Sequence, residues 1–223
     1  MKIGKKWLSI MSLAVGLSLL VTGCGGGQSA SGGGAEKVYV VGTDAAYPPF
    51  QVLEGDGKIT GHDIDVMNAV AEAAGIKIEW KNTGWDPLFD GLDKGTVDIG
   101  ISSITITEDR KKKYDFSDPY FEASQLILLP EDSTVTKLAD LKGKRFGVQG
   151  GTTGEEVLKK AFGSTYEGIK GFDDMPSAVD EFFNGRVDAV VGDNGVIIHY
   201  ANKIKDKKFK LLKDDSFEKE YYG

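Results

Sequence analysis

Residues 61–71 read G-H-D-I-D-V-M-N-A-V-A, and their apolar spacing predicts an amphipathic helix over 63–74 with Ile64, Met67, Ala71 and Ala74 on its buried face. Just upstream, residues 38–42 have the composition of a short strand, followed by the loop T-D-A-A-Y-P-P-F over 43–50. Downstream, strand patterns at 77–80 and 97–102 alternate with a helical pattern at 87–94. Such alternation is the signature of a mostly parallel sheet with helical crossovers.

A second unit follows. L-F-D-G-L-D-K-G-T-V-D-I over 88–99 and A-V-D-E-F-F-N-G-R-V-D-A over 178–189 share one pattern, ninety residues apart. In each, a helix ends at a glycine suited to a left-handed turn, and a short buried strand begins at Val-Asp. Around the second copy we expect a crossing strand over 125–129, strands over 145–149 and 187–192, and helices near 154–161 and 176–184. The expected fold is α/β and two-lobed rather than one continuous sheet. A cleft between two such lobes brings strand C-termini and helix N-termini together, where open α/β sheets bind small ligands.

The chain begins with Lys2, Lys5 and Lys6 and an apolar stretch over 7–21. That stretch is short for a membrane span and suited to a signal sequence. Val21-Thr22-Gly23-Cys24 resembles a lipobox, which implies a signal peptide over 1–23, cleavage after Gly23 and lipid attachment at Cys24. Residues 25–35 are almost wholly Gly, Ser and Ala, so 24–35 reads as a flexible tether. Cys24 is the only cysteine, so no intrachain disulfide forms.

Three of the 27 basic residues lie in the leader, so 24 stand against 34 acidic ones after it, a net charge near −10. That balance argues against nucleic acid and against broad adhesion to anionic lipid. The one basic run, Arg110 to Lys113, is too short to reverse it, and Lys111, Lys112 and Lys113 read as a solvated helix face.

Three loops carry polar chemistry. I-S-S-I-T-I-T-E-D-R over 101–110 leaves a strand, caps a helical turn at Thr107 and ends in Arg110, whose planar guanidinium matches a carboxylate. Q-G-G-T-T-G-E-E over 149–156 joins a strand to a helix through glycines that let backbone N–H groups approach an anion. A phosphate loop is excluded there, because no Lys-Ser or Lys-Thr follows and two glutamates would repel polyphosphate. V-V-G-D-N over 190–194 puts Asp193 at a strand's C-terminal edge.

With 61–71 and these loops in the same order, the chain resembles the extracytoplasmic solute-binding proteins of ABC importers, specifically the polar amino-acid family with the type 2 periplasmic-binding-protein fold. His62 departs from the family pattern, which is usually aromatic or aliphatic there. The resemblance implies that Ser102, Ser103, Thr105 and Arg110 hold a ligand α-carboxylate, Thr153 approaches it from the opposite lobe, and Asp193 pairs with the α-ammonium. A zwitterion bridging both lobes gives closure a cause. Tyr47 and Trp85 fall where the family often sandwiches the ligand side chain, Asp44 where basic or amide-bearing ligands find an acceptor, and Gln149 adds an amide. Three alternatives stay open: Asp193 as a cap on the next turn, Asp44 as a brace of its own loop, Trp85 as core.

The resemblance further implies capture of glutamine or of arginine, lysine or histidine by a lipid-anchored monomer outside the cell membrane, delivery to permease subunits, and no cofactor. It sets lobe 1 at 36–128, lobe 2 at 129–216, and the start of a return crossover at 217–223. In the family a strand and helices follow a Tyr-Tyr-Gly like 221–223, so the sequence reads as truncated. An enzyme lacks machinery here: His62 and His199 are far apart, and Asp63 and Asp65 point in different directions on a helix, which disfavours a metal. A dehydratase on the same fold and an extracytoplasmic sensor module are the rival readings.

Overall fold

The computed structural model describes residues 37–204 and 207–223; the expected leader, Cys24 and the tether lie outside them. The chain begins with β1 (Val38–Thr43), β2 (Ala46–Tyr47), β3 (Gln51–Leu53), β4 (Ile59–Thr60) and α1 (His62–Ala74). β5 (Lys77–Asn82), α2 (Trp85–Asp93), β6 (Ile99–Gly100) and the short α3 (Glu108–Lys111) come next. A long strand, β7 (Phe121–Pro130), leads into β8 (Phe146–Gln149), α4 (Thr153–Phe162), β9 (Ile169–Phe172), α5 (Met175–Phe183) and β10 (Ala189–Asp193). α6 (Asn194–Lys203), β11 (Phe209–Leu212) and β12 (Lys219–Tyr222) complete the described elements.

Two main sheets result. The first is parallel, ordered β5-β1-β6, with a small antiparallel sheet β2-β3-β4 beside it in sequence. The second runs β11-β7-β10-β8-β9, with β8, β9 and β10 parallel and β7 antiparallel to β10 and β11. β7 starts four residues before the expected strand. Its first four residues pair with β12, Phe121 opposite Tyr222 and Ser124 opposite Lys219, while the rest lies within the second sheet.

Both faces of the second sheet are covered, and its central strands, β8, β10 and the part of β7 within it, are buried along nearly their whole length. On the second sheet Ile127, Leu129, Ala189 and Val191 face Leu158 of α4. Leu126, Leu128 and Val190 face Met175, Val179 and Phe182 of α5, Val196 and Ile197 of α6, and Tyr47 and Phe50. On the first sheet, Met67 and Ala71 of α1 pack with Val41 and Ile101, and Trp85 and Leu88 of α2 with Val97 and Ile104.

The repeated glycine–Val–Asp pattern performs the same structural task twice. Gly95 (φ 66°) and Gly185 (φ 72°) turn the chain out of α2 and α5 in the left-handed region. The aspartate that follows then clips the neighbouring parallel strand. Asp98 Oδ2 accepts the Val40 N–H at 2.9 Å, and Asp188 Oδ2 accepts the Arg145 N–H at 2.8 Å. Lys37 and Arg145 side chains hold these carboxyls below the usual range through hydrogen bonds and charge.

Two expectations need correction. The strand expected over 97–102 is only Ile99–Gly100, because the chain turns at Ser103, which sits in the left-handed region (φ 52°) with its N–H bonded to Asp63. Ala74 is exposed rather than buried, since Gly75 ends α1 immediately after it. Its expected place on the buried face is taken by Asp63, at the other end of the helix.

α1 begins without a side-chain cap. Its first N–H groups are met instead by loop carbonyls: His62 N–H donates to Pro49 O at 3.2 Å and Asp63 N–H to Phe50 O at 3.1 Å. Gly61 makes that approach possible, with φ 129° and a position at which a Cβ would lie 2.2 Å from Phe50 O. We therefore expect Gly61→Ala to destabilise the fold by at least about 1 to 3 kcal/mol in urea titrations, because neither the backbone angle nor the contact tolerates a methyl group. A loss below about 0.5 kcal/mol, the level of an ordinary surface substitution, would show that the loop gives way freely.

Candidate functional site

Every binding residue nominated from the sequence lines one cleft. Asp44, Tyr47, Trp85, Ser102, Ser103, Thr105 and Arg110 precede β7; Gln149, Thr153 and Asp193 follow it; Thr152, which the sequence did not single out, joins them. The cleft lies at the C-terminal ends of β1, β6, β8 and β10, where side chains can converge without breaking sheet pairing.

Arg110 stands on α3, whose start is capped by Thr107: its Oγ1 accepts the Arg110 N–H at 3.2 Å. The half-buried guanidinium donates to Thr105 O at 2.9 Å and, across the cleft, to Gly151 O at 3.2 Å. It also lies over the rings of Trp85 and Phe89, 5.4 and 5.8 Å from their centroids. Among the described residues no carboxylate forms a salt bridge with it, and burial pulls its pKa down, a sign of a cation short of compensation. Lys111 and Lys112 pair with Glu108 and Asp109 on the exposed side of the same turn.

Ser102 Oγ accepts the Asp44 N–H at 3.0 Å. Ser103 is held in its left-handed conformation by a carboxylate with no solvent exposure: Asp63 Oδ2 accepts the Ser103 N–H at 2.7 Å and also the Gln51 amide. Gln51 Nε2 in turn donates to Ser103 Oγ at 3.0 Å. Burial raises the Asp63 pKa, opposed by these hydrogen bonds.

Asp44 and Gln149 meet across the cleft, the Gln149 Nε2 donating to Asp44 Oδ2 at 3.0 Å. Burial raises the Asp44 pKa and that bond opposes the rise. Trp85 lines the cleft and also packs with Leu88, Val97 and Ile104 in the core. Asp193 occupies the position before α6 and makes no side-chain cap there. Its carboxylate accepts instead from the Gln125 amide and the Tyr222 hydroxyl, and burial followed by the charge of Glu220 raises its pKa to about 6.

Sequence reading missed Asp63, Gln51, Gln125, Glu220 and Tyr222, which stand behind the cleft. Asp63 carried a usable signal. It lies four and eight residues before Met67 and Ala71, so helical spacing alone puts it on the buried face. The others sit at positions where strand pairing, not local pattern, decides what they touch.

The sequence profile of the bacterial extracellular solute-binding proteins, family 3, matches residues 39–216. This chain belongs to that family. A probable histidine-binding protein of Neisseria gonorrhoeae is 40% identical over 225 residues, covering 98% of this chain and 82% of the relative. Among solved structures, the arginine-, lysine-, histidine-binding protein ArtJ of Geobacillus stearothermophilus is 50% identical with a TM-score of 0.81, over 84% of this chain and 80% of that one. An ancestral arginine-binding protein bound to glutamine is 41% identical with a TM-score of 0.76, over 83% of this chain and 82% of that one. The fold is the two-lobed type 2 periplasmic-binding-protein fold, and the family is one that works outside the cytoplasm. Among the described residues no helix is long and apolar enough to cross a membrane.

Asp63→Ala should lower the stability of the unliganded protein by about 2 to 4 kcal/mol, since the Ser103 N–H and the Gln51 amide lose a buried acceptor. Asp63→Asn keeps one acceptor oxygen and should cost less. Equal losses for both variants in urea titrations would mean that the acceptor geometry at Ser103 contributes nothing.

Proposed function

We propose that this solute-binding protein captures a basic L-amino acid, arginine, lysine or histidine, between its lobes and delivers it to an ABC importer. The observation that carries the reading is the charge layout of the cleft. One under-compensated guanidinium, Arg110, shares it with two buried carboxyls, Asp44 and Asp193, that hydrogen bond only to neutral groups. In this arrangement the ligand α-carboxylate docks on Arg110 with Ser102 and Ser103 beside it. The α-ammonium docks on Asp193 with the hydroxyl oxygens of Thr105 and Thr153, whose hydrogens are held by Glu220, as further acceptors. The cationic side chain runs between Tyr47 and Trp85 toward Asp44 and Gln149. An acidic side chain would place like charges together, and glutamine would leave Asp44 without a counter-charge.

Support comes also from the similar proteins, whose names refer to histidine, arginine and lysine, and from the ancestral relative, which is described with glutamine bound. These relatives are binding proteins, and the reading here is likewise non-enzymatic. In the same proposal the protein is a monomer with lobes at 36–128 and 129–216, residues 217–223 open the return crossover, and Cys24 carries the lipid that tethers it to the outer face of the membrane. Mass spectrometry of membrane-extracted protein, which should show a diacylglycerylated Cys24 as the first residue, tests the anchor.

A thermal-shift screen of the twenty amino acids tests the ligand, because a ligand that binds only the folded state raises its melting temperature. The basic amino acids should give the largest shifts, glutamine a smaller one, and aspartate and glutamate none. Arg110→Ala should weaken binding by about 2 to 5 kcal/mol with little change in the unliganded melting temperature. Asp44→Asn should weaken a basic ligand far more than glutamine, and equal losses would return Asp44 to a loop brace.

The pH dependence follows from Asp193. Its carboxyl titrates at about 6 in the unliganded protein, and an ammonium beside it favours the ionised form and lowers that value. Binding then releases a proton at pH below 6, so affinity should fall as the solution is acidified, by about tenfold per unit at the steepest. Calorimetry in buffers of different ionisation enthalpy reads both the affinity and the proton. Affinity unchanged between pH 7 and 5 would remove Asp193 from the ammonium site.

A further inference from the structure

The two threonines of the cleft are fastened from behind. Thr105, before β7, and Thr153, the first residue of α4, both donate their hydroxyl hydrogens to one oxygen, Oε2 of Glu220, at 2.8 and 2.7 Å. Glu220 Oε1 accepts from Gln125 Nε2 at 2.9 Å, and the same amide reaches Asp193 and, at 3.3 Å, Thr153 Oγ1. Glu220 is not part of the cleft wall. It lines a groove on the far side of the two threonines, together with Gln125, Glu156 and Lys160.

The placement of Glu220 is fixed by backbone. β12 pairs with β7, setting Glu220 opposite Ala123, and Ile106 N–H donates to Tyr221 O at 2.7 Å. Strand alternation then aims residues 220 and 222 to the same side. Tyr222 holds Asp193, and Glu220 holds the threonines.

We propose that Glu220 is a positioning residue for ligand capture: without touching the amino acid, its carboxylate fixes the rotamers of Thr105 and Thr153 and the distance between them, so that one group from each lobe is presented together. This rests on the amino-acid reading of the cleft. A hydroxyl on a free threonine samples several rotamers, and a ligand that must select one pays for that selection in affinity. Because both hydroxyl hydrogens go to that single oxygen, the two threonine oxygens turn lone pairs to the cleft, and Glu220 presents them in advance as a pair of acceptors for the ligand α-ammonium beside Asp193. Glu156, Lys160, Glu218 and Lys219 share the groove with Glu220, and Asp193 and Arg110 are near enough to interact with its charge.

The test is a double-mutant cycle read by calorimetry with L-arginine as the probe. Glu220→Gln, which replaces the shared acceptor oxygen or its partner by an amide nitrogen, should weaken binding by about tenfold or more in the otherwise natural protein, and by no more than about twofold when Thr105→Val and Thr153→Val are present. Glu220→Asp keeps the charge but withdraws the oxygens by one methylene, and should show the same loss and the same coupling. This second variant decides the matter if Glu220→Gln melts below the assay temperature. An unchanged affinity in either folded variant, or a loss equally large in the valine background, would overturn the inference. If the natural protein binds L-lysine or L-histidine but not L-arginine, the same cycle is read with that amino acid; failure to bind any of the three would instead overturn the proposed function, so the two failures are distinct.

Discussion

The cleft solves a solvation problem with dipoles instead of counter-ions. A carboxylate removed from water is costly unless hydrogen bonds replace its hydration. Asp44, Asp63 and Asp193 are all buried, and amides, hydroxyls and backbone N–H groups serve them, while Arg110, the cation nearby, rests on carbonyl oxygens. Each acid is tolerated yet raised in pKa, and the guanidinium is lowered. Opposite charges thus face one cleft without neutralising each other.

The supporting layer does as much to define the site as the lining does. α1 contributes Asp63, which sets Ser103; β7 contributes Gln125, which reaches two carboxylates; and β12 contributes Glu220 and Tyr222. Each of these sits on a regular element, so the cleft residues, most of them on loops, inherit the precision of sheet and helix. β7 is the common member. It is paired along one part of its length with β12 and along the other with the second sheet, so it ties the strand carrying Glu220 to the lobe carrying Asp193.

Much of this was legible in the sequence. The alternation of strands and helices and the two glycine–Val–Asp repeats follow from periodicity and turn residues, while the lining of the cleft was reached through the resemblance to the solute-binding family and not from pattern alone. Val97 to Ser102 misled as a strand because its apolar run continues past Gly100, while the chain is turned by a bond to Asp63 that lies 40 residues away in sequence. Ala74 misled because helical spacing takes no account of where a helix clears its sheet. Glu220 had no local signal at all: its partners, Thr105 and Thr153, are 115 and 67 residues distant, and only the pairing of β12 with β7 brings them together.

The aspartate clips at Asp98 and Asp188 lie at the N-terminal ends of their parallel strands, the cleft at the C-terminal ends. The cleft edge is tied as well, by the Asp44 N–H to Ser102 Oγ and the Ala45 N–H to Asn82 Oδ1 in the first lobe and by Gln125 to Asp193 in the second. The two ends differ in what holds them: at the far end a carboxylate that does not line the cleft grips a neighbouring backbone. The alignment of each parallel pair is thus set out of reach of any guest, and side chains at the cleft can be exchanged without loosening it.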